Sequence, residues 1–498
     1  MRAIGLLHLT TKYRLRVPPP LTRSYIHRGA TRTDQVGEVK TQYFTEQYDP
    51  GVDDRYHLEF ALKWEQWDLR VLGSLFRQAA IGPEVAALVR EKPTGEYARR
   101  LWYLYEWLTG SLLPLEAGVP RNYVPLLDEA VYVVSTSPTR SRRHHIENNL
   151  GGTPLLCPLV RRTQKVDDLL AFDFPGAIAN SVPDVDKELL TRAVSFLYLR
   201  ETRSSFQIEG EDLPDRNERF VAQLEEVTNA TVVTHQNLIE WQSVLVDPRY
   251  ARGHYRDDQV YVAEGSRIGR RSKIHYIAPR PPDVSVLMDA FLELDRALEG
   301  TPPLVHAAIW SFVFVFIHPF DDGNGRLHRL LIHNVLKRRG LTPDNIVLPV
   351  SAVIVGDRLQ YDRALESFSK PLMAALDGRY ELAEDELMTV TDDTRDLYRS
   401  FDATPLVEGL GQWARKAIEQ ELVDEIAWLR RYDVTREAVR RIVDMPDKKL
   451  RNFIAIVESN SGRLSARKRG QFSELTDDEV HSMERAIQEH LLQMSTRV

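Results

Sequence analysis

The sequence predicts a mainly α-helical protein. Apolar residues recur at helical spacing through segments 56–90, 97–108 and 285–298. Segment 305–317 is almost wholly apolar and long enough for a buried helix, and only segment 255–277 carries the alternation and glycines of a β-hairpin.

Residues 1–45 are short-patterned and broken by Pro18-Pro19-Pro20, so they offer at most a strand or an arm. Trp64, Trp67, Leu72, Leu75, Trp102, Leu104, Tyr105 and Trp107 then recur at helical spacing and predict a helical N-terminal domain. Trp102, Tyr103, Tyr105 and Trp107 resemble a stacking platform for bases, yet such stripes more often fill a core, which is the expectation here. Segment 139–149, with Arg140, Arg142, Arg143, His144 and His145, reads as an exposed loop.

Pro175, Gly176 and Pro183 mark a boundary, and a helix resumes behind Asp186 as N-cap, running from 187 to about 209 and stopped by Gly210. Helices follow at 216–227 and 234–245, then the hairpin, whose tip at 267–273 is strongly basic. After 361–375, also helical, the chain turns charged from Asp392. Segments 422–443 and 448–457 predict short helices, and Thr476 with Glu479 forms a capping box for a last helix through Leu492. The organisation expected along the chain is thus 1–175, 185–375 and 392–498.

Length and charge bound the function. A chain of 498 residues is too long for one core, and roughly two to four domains are expected. With 65 basic and 72 acidic residues and a net charge of −7, the whole chain lacks the footprint of a dedicated nucleic-acid binder. Arg463, Arg467, Lys468 and Arg469 leave nucleic acid as a local alternative in the C-terminal segment. The single cysteine, Cys157, excludes an internal disulfide framework and is expected to be a small buried residue. The first 16 residues contain no continuous apolar leader and no stretch reaches membrane-spanning length, so a cytoplasmic protein without membrane contact is expected.

The densest chemistry lies in His318-Pro319-Phe320-Asp321-Asp322-Gly323-Asn324-Gly325-Arg326-Leu327-His328-Arg329. Pro319 stops the apolar helix just after His318. Arg326 to Arg339 reads as a second helix, ended by Gly340. Glycines feeding a helix start present free N–H groups and the positive dipole end to an anion, and Arg326 and Arg329, three apart, share that side. A nucleoside triphosphate would then rest on the glycines and arginines. Asp322 would hold Mg²⁺ together with phosphate oxygens, and His318 would take the proton of an incoming hydroxyl. A calcium loop is excluded, because either choice of obligatory glycine puts Arg329 or Leu331 where a bidentate glutamate is required. No Walker lysine loop and no H-E-x-x-H helix is present.

This stretch resembles the Fic-family signature H-P-F-x-[D/E]-G-N-G-R-x-x-R at every specified position. The resemblance implies a Fic-type helical core with a β-hairpin flap near 255–277, and an enzyme that moves AMP from ATP to a Ser, Thr or Tyr hydroxyl of a protein. It implies His318 as base, Asp322 as Mg²⁺ ligand, Asn324 and Arg326 on the phosphates, Arg329 on the γ-phosphate, and Gly323 and Gly325 around the anion. Doc-type kinases depart from the intact Gly323-Asn324-Gly325-Arg326 turn, which favours AMP transfer over phosphorylation; phosphocholine transfer is the remoter alternative. Ser205-Phe206-Gln207-Ile208-Glu209-Gly210 matches the family's inhibitory pattern [S/T]-x-x-x-E-[G/N], which implies that Ser205 and Glu209 close the site by occupying Arg329, with self-AMPylation as a corollary. Three further alternatives stand beside this reading: removal of AMP through the same glutamate, a homodimer, and a nucleotide-sensing regulator that reads DNA or protein through the C-terminal segment.

Overall fold

The computed structural model describes every residue except Glu38, 117–121, 182–186, 211–216, 264–272, Asn345 and 493–498. The expected cap at Asp186 and most of the basic hairpin tip lie outside the described residues. The protein is mainly helical, as its periodicity predicts, and its chain gathers into two compact units that do not follow sequence order.

The larger unit comprises 1–172, 205–341 and 354–413. Its first residues build more than an arm. Strands Arg2–Ile4, Thr22–Ile26, Val39–Phe44 and Arg32–Val36 form one sheet in that spatial order, with helix Gly5–Lys12 leaving the first strand. The periodic run at 56–90 is three helices, Asp54–Trp64, Leu69–Phe76 and Ile81–Glu91. Asp68 breaks it by accepting from the N–H groups of Arg70 and Val71, and Pro83 opens the third helix. Helix Glu96–Thr109 carries the aromatic stripe, with Trp102 and Tyr103 buried in the same apolar cluster as Leu72, Leu88 and Cys157, so the stripe is core.

Segment 139–149 is not the solvated loop its charge suggests. Thr139–Ser141 and Ile146–Asn148 are strands of a small sheet, and between them Arg143 and His144 each reach the buried carboxylate of Glu106 at 2.9 Å. Burial alone would raise Glu106, but the Arg143 guanidinium, the Leu113 N–H, the Trp102 N–H and His144 hold it down to about 2. The N-terminal residues join the rest of this unit through the backbone. Cys157 N–H and Leu159 N–H donate to the carbonyls of Arg399 and Phe401.

At the centre of the same unit, helix Pro303–Ile317 packs against helix Asn324–Arg338. His328 faces the Ser311 carbonyl at 2.8 Å, and its ring meets Phe312 edge-on. Burial pushes His328 down to about 3, so it stays neutral. On its other side Asn334 donates to the carbonyls of Val227 and Ala230 at 2.7 and 2.8 Å, capping the C-terminal end of helix Asn217–Asn229. Helix Pro281–Ala297 covers the apolar helix, with Phe291 stacked on Trp310 at 4.7 Å.

The second unit comprises 173–204, 342–353 and 414–498. Its C-terminal helices Val423–Ile442, Asp447–Ser459 and Asp477–Ile487 close on Phe453, Ile454, Phe472 and Met483. The capping box at Thr476 and Glu479 forms, and the last helix ends in a wide turn, Gln488–Leu492. Arg469 folds back onto the carbonyls of Phe472 and Leu475 and onto Asp477, so part of the basic patch serves its own chain. No helix among the described residues is long and apolar enough to cross a membrane.

Candidate active site

The apolar helix ends because proline follows. The residue before a proline is crowded out of the right-handed helical region, and His318 takes a left-handed conformation instead, with φ 52° and ψ 58°. For a residue with a side chain this costs on the order of 1 kcal/mol. Its N–H still closes on the Phe314 carbonyl at 3.0 Å, so the helix terminates and the imidazole is turned into the loop. The ring's Nδ1 lies 3.2 Å from the Val315 carbonyl. A carbonyl only accepts, so Nδ1 carries the proton and Nε2 is the acceptor. Burial pushes the ring down to about 4, and the ring is neutral at ordinary pH.

The turn after His318 is drawn tight by Asn324. Its amide accepts from Phe320 N–H at 3.0 Å and donates to the Phe320 carbonyl at 2.7 Å, so both ends of the side chain close the loop. Gly323 stands at φ 86°, and a β-carbon there would come within 2.9 Å of Val246, so both conformation and space require glycine. Asp322 accepts from Gly323 N–H at 2.6 Å and pairs with Arg326 Nη2 at 2.9 Å, while about half of its side chain faces solvent. Its neighbour Asp321 turns away to Arg252 at 2.7 Å.

Helix Asn324–Arg338 starts at this turn and brings Arg326 and Arg329 onto one buried side. Arg326 also donates to the Leu245 carbonyl at 3.0 Å and lies over the Phe206 ring. Arg329 donates through Nε to Ser205 Oγ and through Nη2 to the Ser205 carbonyl and to Glu209 Oε1, all at 2.8 Å. Helix Lys187–Ile208 delivers these partners. Glu209 and Gly210 follow its end, and Gly210 at φ 76° is the stop expected from sequence. Burial raises the Glu209 carboxyl, but the charge and hydrogen bond of Arg329, aided by Arg326 and Arg358, outweigh it and leave Glu209 below the ordinary carboxylate range.

His318, Asp322, Gly323, Asn324, Gly325, Arg326, Arg329, Ser205 and Glu209 are therefore gathered in one place. Three further side chains hold them that pattern reading missed. Gln242 donates to the Asp322 carbonyl at 3.0 Å, Arg358 donates to the Ile208 carbonyl at 2.6 Å, and Arg256 donates to the His318 carbonyl at 2.7 Å. Each acts on backbone far away in sequence, and no spacing rule announces such a bond.

A neutral histidine, a glycine-lined helix N-terminus and two buried arginines thus meet around one turn. Residues 232–336 match the model of the Fic/DOC family. The protein adenylyltransferase Fic of Aedes aegypti is 32% identical over 155 residues, which are 29% of this chain and 30% of that protein. That of Nematostella vectensis is 29% identical over 167 residues, 31% of this chain and 34% of that protein. The chain thus spans about a third of the length of the curated relatives it matches. A solved structure of a Fic family protein from Desulfovibrio desulfuricans G20 aligns over 60% of this chain and 88% of its own, with 22% identity and a TM-score of 0.40.

Proposed function

We propose that this protein transfers AMP from ATP to a hydroxyl of a protein target, and that Glu209 holds it in a self-inhibited state. The observation that carries the reading is the neutral His318, with Nε2 as its acceptor, beside a glycine-started helix whose second arginine is held by a carboxylate. The adenylyltransferase names of the relatives support it.

In this reading the target hydroxyl gives its proton to His318 Nε2 while its oxygen attacks the α-phosphorus. The new oxygen–phosphorus bond forms as the bond to the β-phosphate oxygen breaks, and pyrophosphate leaves. Gly325 and the N–H groups at the helix start take phosphate oxygens, and Arg326 and Arg329 neutralise the charge. Asn324 keeps the turn closed and reaches a phosphate only by giving up a bond to Phe320. The half-exposed carboxylate of Asp322 would hold a Mg²⁺ ion, which would supply charge neutralisation at the phosphates.

Glu209 opposes this arrangement. With Arg329 pinned by Ser205 and Glu209, the γ-phosphate loses its cation, and ATP is left out of line with the base. His318→Ala tests the base. In a Glu209→Gly background, AMP incorporation from labelled ATP should fall by about a hundredfold or more. Undiminished incorporation would remove His318 from the role.

A further inference from the structure

Arg256 stands in the loop that enters the hairpin, and only 2% of it is exposed. Among the described residues no carboxylate pairs with it; its guanidinium is held by carbonyls alone. Nε donates to His318 at 2.7 Å, Nη1 to Asp258 at 2.8 Å, and Nη2 to Pro279 at 2.6 Å. Its own N–H donates to the Pro319 carbonyl at 2.9 Å.

The placement of these carbonyls gives the contacts meaning. Asp258 precedes the first hairpin strand, Tyr261–Ala263, and Pro279 follows the second, Ile274–Ile277. His318 carries the base and sits in the strained left-handed conformation. One rigid, planar cation therefore ties both legs of the hairpin to the backbone of the base. Neighbouring bonds brace the same joint: Gln259 links to the Ala278 carbonyl at 2.8 Å, and the Tyr276 hydroxyl donates to the Phe316 carbonyl. Burial lowers the Arg256 guanidinium only to about 10, so it keeps its charge at neutral pH.

We infer that Arg256 is a positioning residue that fixes the backbone of His318 relative to the hairpin legs, so that the imidazole is held at the angle at which it takes the proton of a target hydroxyl. This rests on the AMP-transfer reading. A lysine cannot reproduce it, because three carbonyls spaced around a planar fork cannot be served by one rotating ammonium group. The contacts that would bind ATP phosphates, at Gly325, Arg326 and Arg329, are not among those of Arg256, so rate and nucleotide affinity should separate.

The test uses the full chain in the Glu209→Gly background, with Arg256→Gln and Arg256→Lys. The readouts are AMP incorporation into the protein itself from α-labelled ATP, ATP affinity by calorimetry, and thermal melting. Arg256→Gln should slow incorporation on the order of a hundredfold at unchanged ATP affinity, and Arg256→Lys should recover only part of the loss. A folded Arg256→Gln protein with the parent rate, or ATP affinity falling in step with rate, overturns the inference. If Arg256→Gln does not fold, the same comparison is made on Arg256→Lys, where the parent rate again overturns it. If the Glu209→Gly parent itself incorporates no AMP, the AMP-transfer reading fails, and the role of Arg256 in it falls with it. An active parent matched by an equally active Arg256→Gln removes only Arg256.

Discussion

A β-carbon on Gly325 would stand 2.3 Å from Oε1 of Glu209. The carboxylate thus lies directly over the glycine that opens the second helix, at the seat where that helix end would receive a phosphate. Glu209 therefore meets both positive features of this turn: the Arg329 guanidinium and the N-terminal end of the second helix.

Gly325→Ala separates these two contacts. The added methyl displaces the flexible end of Glu209, yet remains where a phosphate oxygen would sit. ATP affinity measured by calorimetry should fall about tenfold, or ~1.4 kcal/mol, and Glu209→Gly should not restore it. Full affinity in the double variant would show that the phosphates do not approach this glycine.

Arg358 closes helix Lys187–Ile208 from its C-terminal end through the Ile208 carbonyl, and its charge helps hold Glu209 ionised. Arg358→Ala should loosen Glu209 without touching the turn, and raise AMP transfer roughly fivefold, which corresponds to about 1 kcal/mol for a half-exposed arginine. No increase over the unaltered protein would place the hold on Glu209 elsewhere.

Away from the site, Glu65 is buried under the start of helix Gly5–Lys12, where one oxygen accepts from Leu6 N–H at 2.9 Å. Burial raises it from the ordinary 4.5 to about 7, despite hydrogen bonds from Ser24 and Leu6. The folded state therefore holds a proton that the unfolded chain has lost between these values. Stability from this group is full below about pH 4.5 and declines as pH rises through 7, by ~1.4 kcal/mol per unit. Glu65→Gln carries no such proton, so its stability relative to the parent should rise from pH 5 to pH 8 by up to about 3 kcal/mol in urea unfolding. A difference independent of pH would contradict the burial of this carboxyl.

The grouping of the candidate-site side chains was legible where they are contiguous in sequence. His318 to Arg329 supplies a histidine, carboxylates, glycines and arginines within one turn between two helices, and Ser205 with Glu209 keeps a fixed spacing. Arg256, Gln242 and Arg358 were not legible, because each binds backbone carbonyls, and a carbonyl leaves no residue type to recognise. The fold followed the same rule. The long apolar helices were plain from their period, whereas the first 45 residues hid a four-stranded sheet, since strands of three to six residues dilute the alternation and Arg32–Val36 is exposed throughout. Segment 139–149 misled because its charge has a buried partner, Glu106, more than thirty residues earlier.

The most direct measurement compares AMP incorporation from α-labelled ATP in the unaltered protein and in Glu209→Gly, side by side. Removing the carboxylate takes its negative charge off Arg329 and uncovers Gly325, so the variant should label itself or an added target at least about tenfold faster, the loss of roughly 1.4 kcal/mol of inhibition. Equal labelling of the two proteins would contradict the claim that Glu209 closes this site.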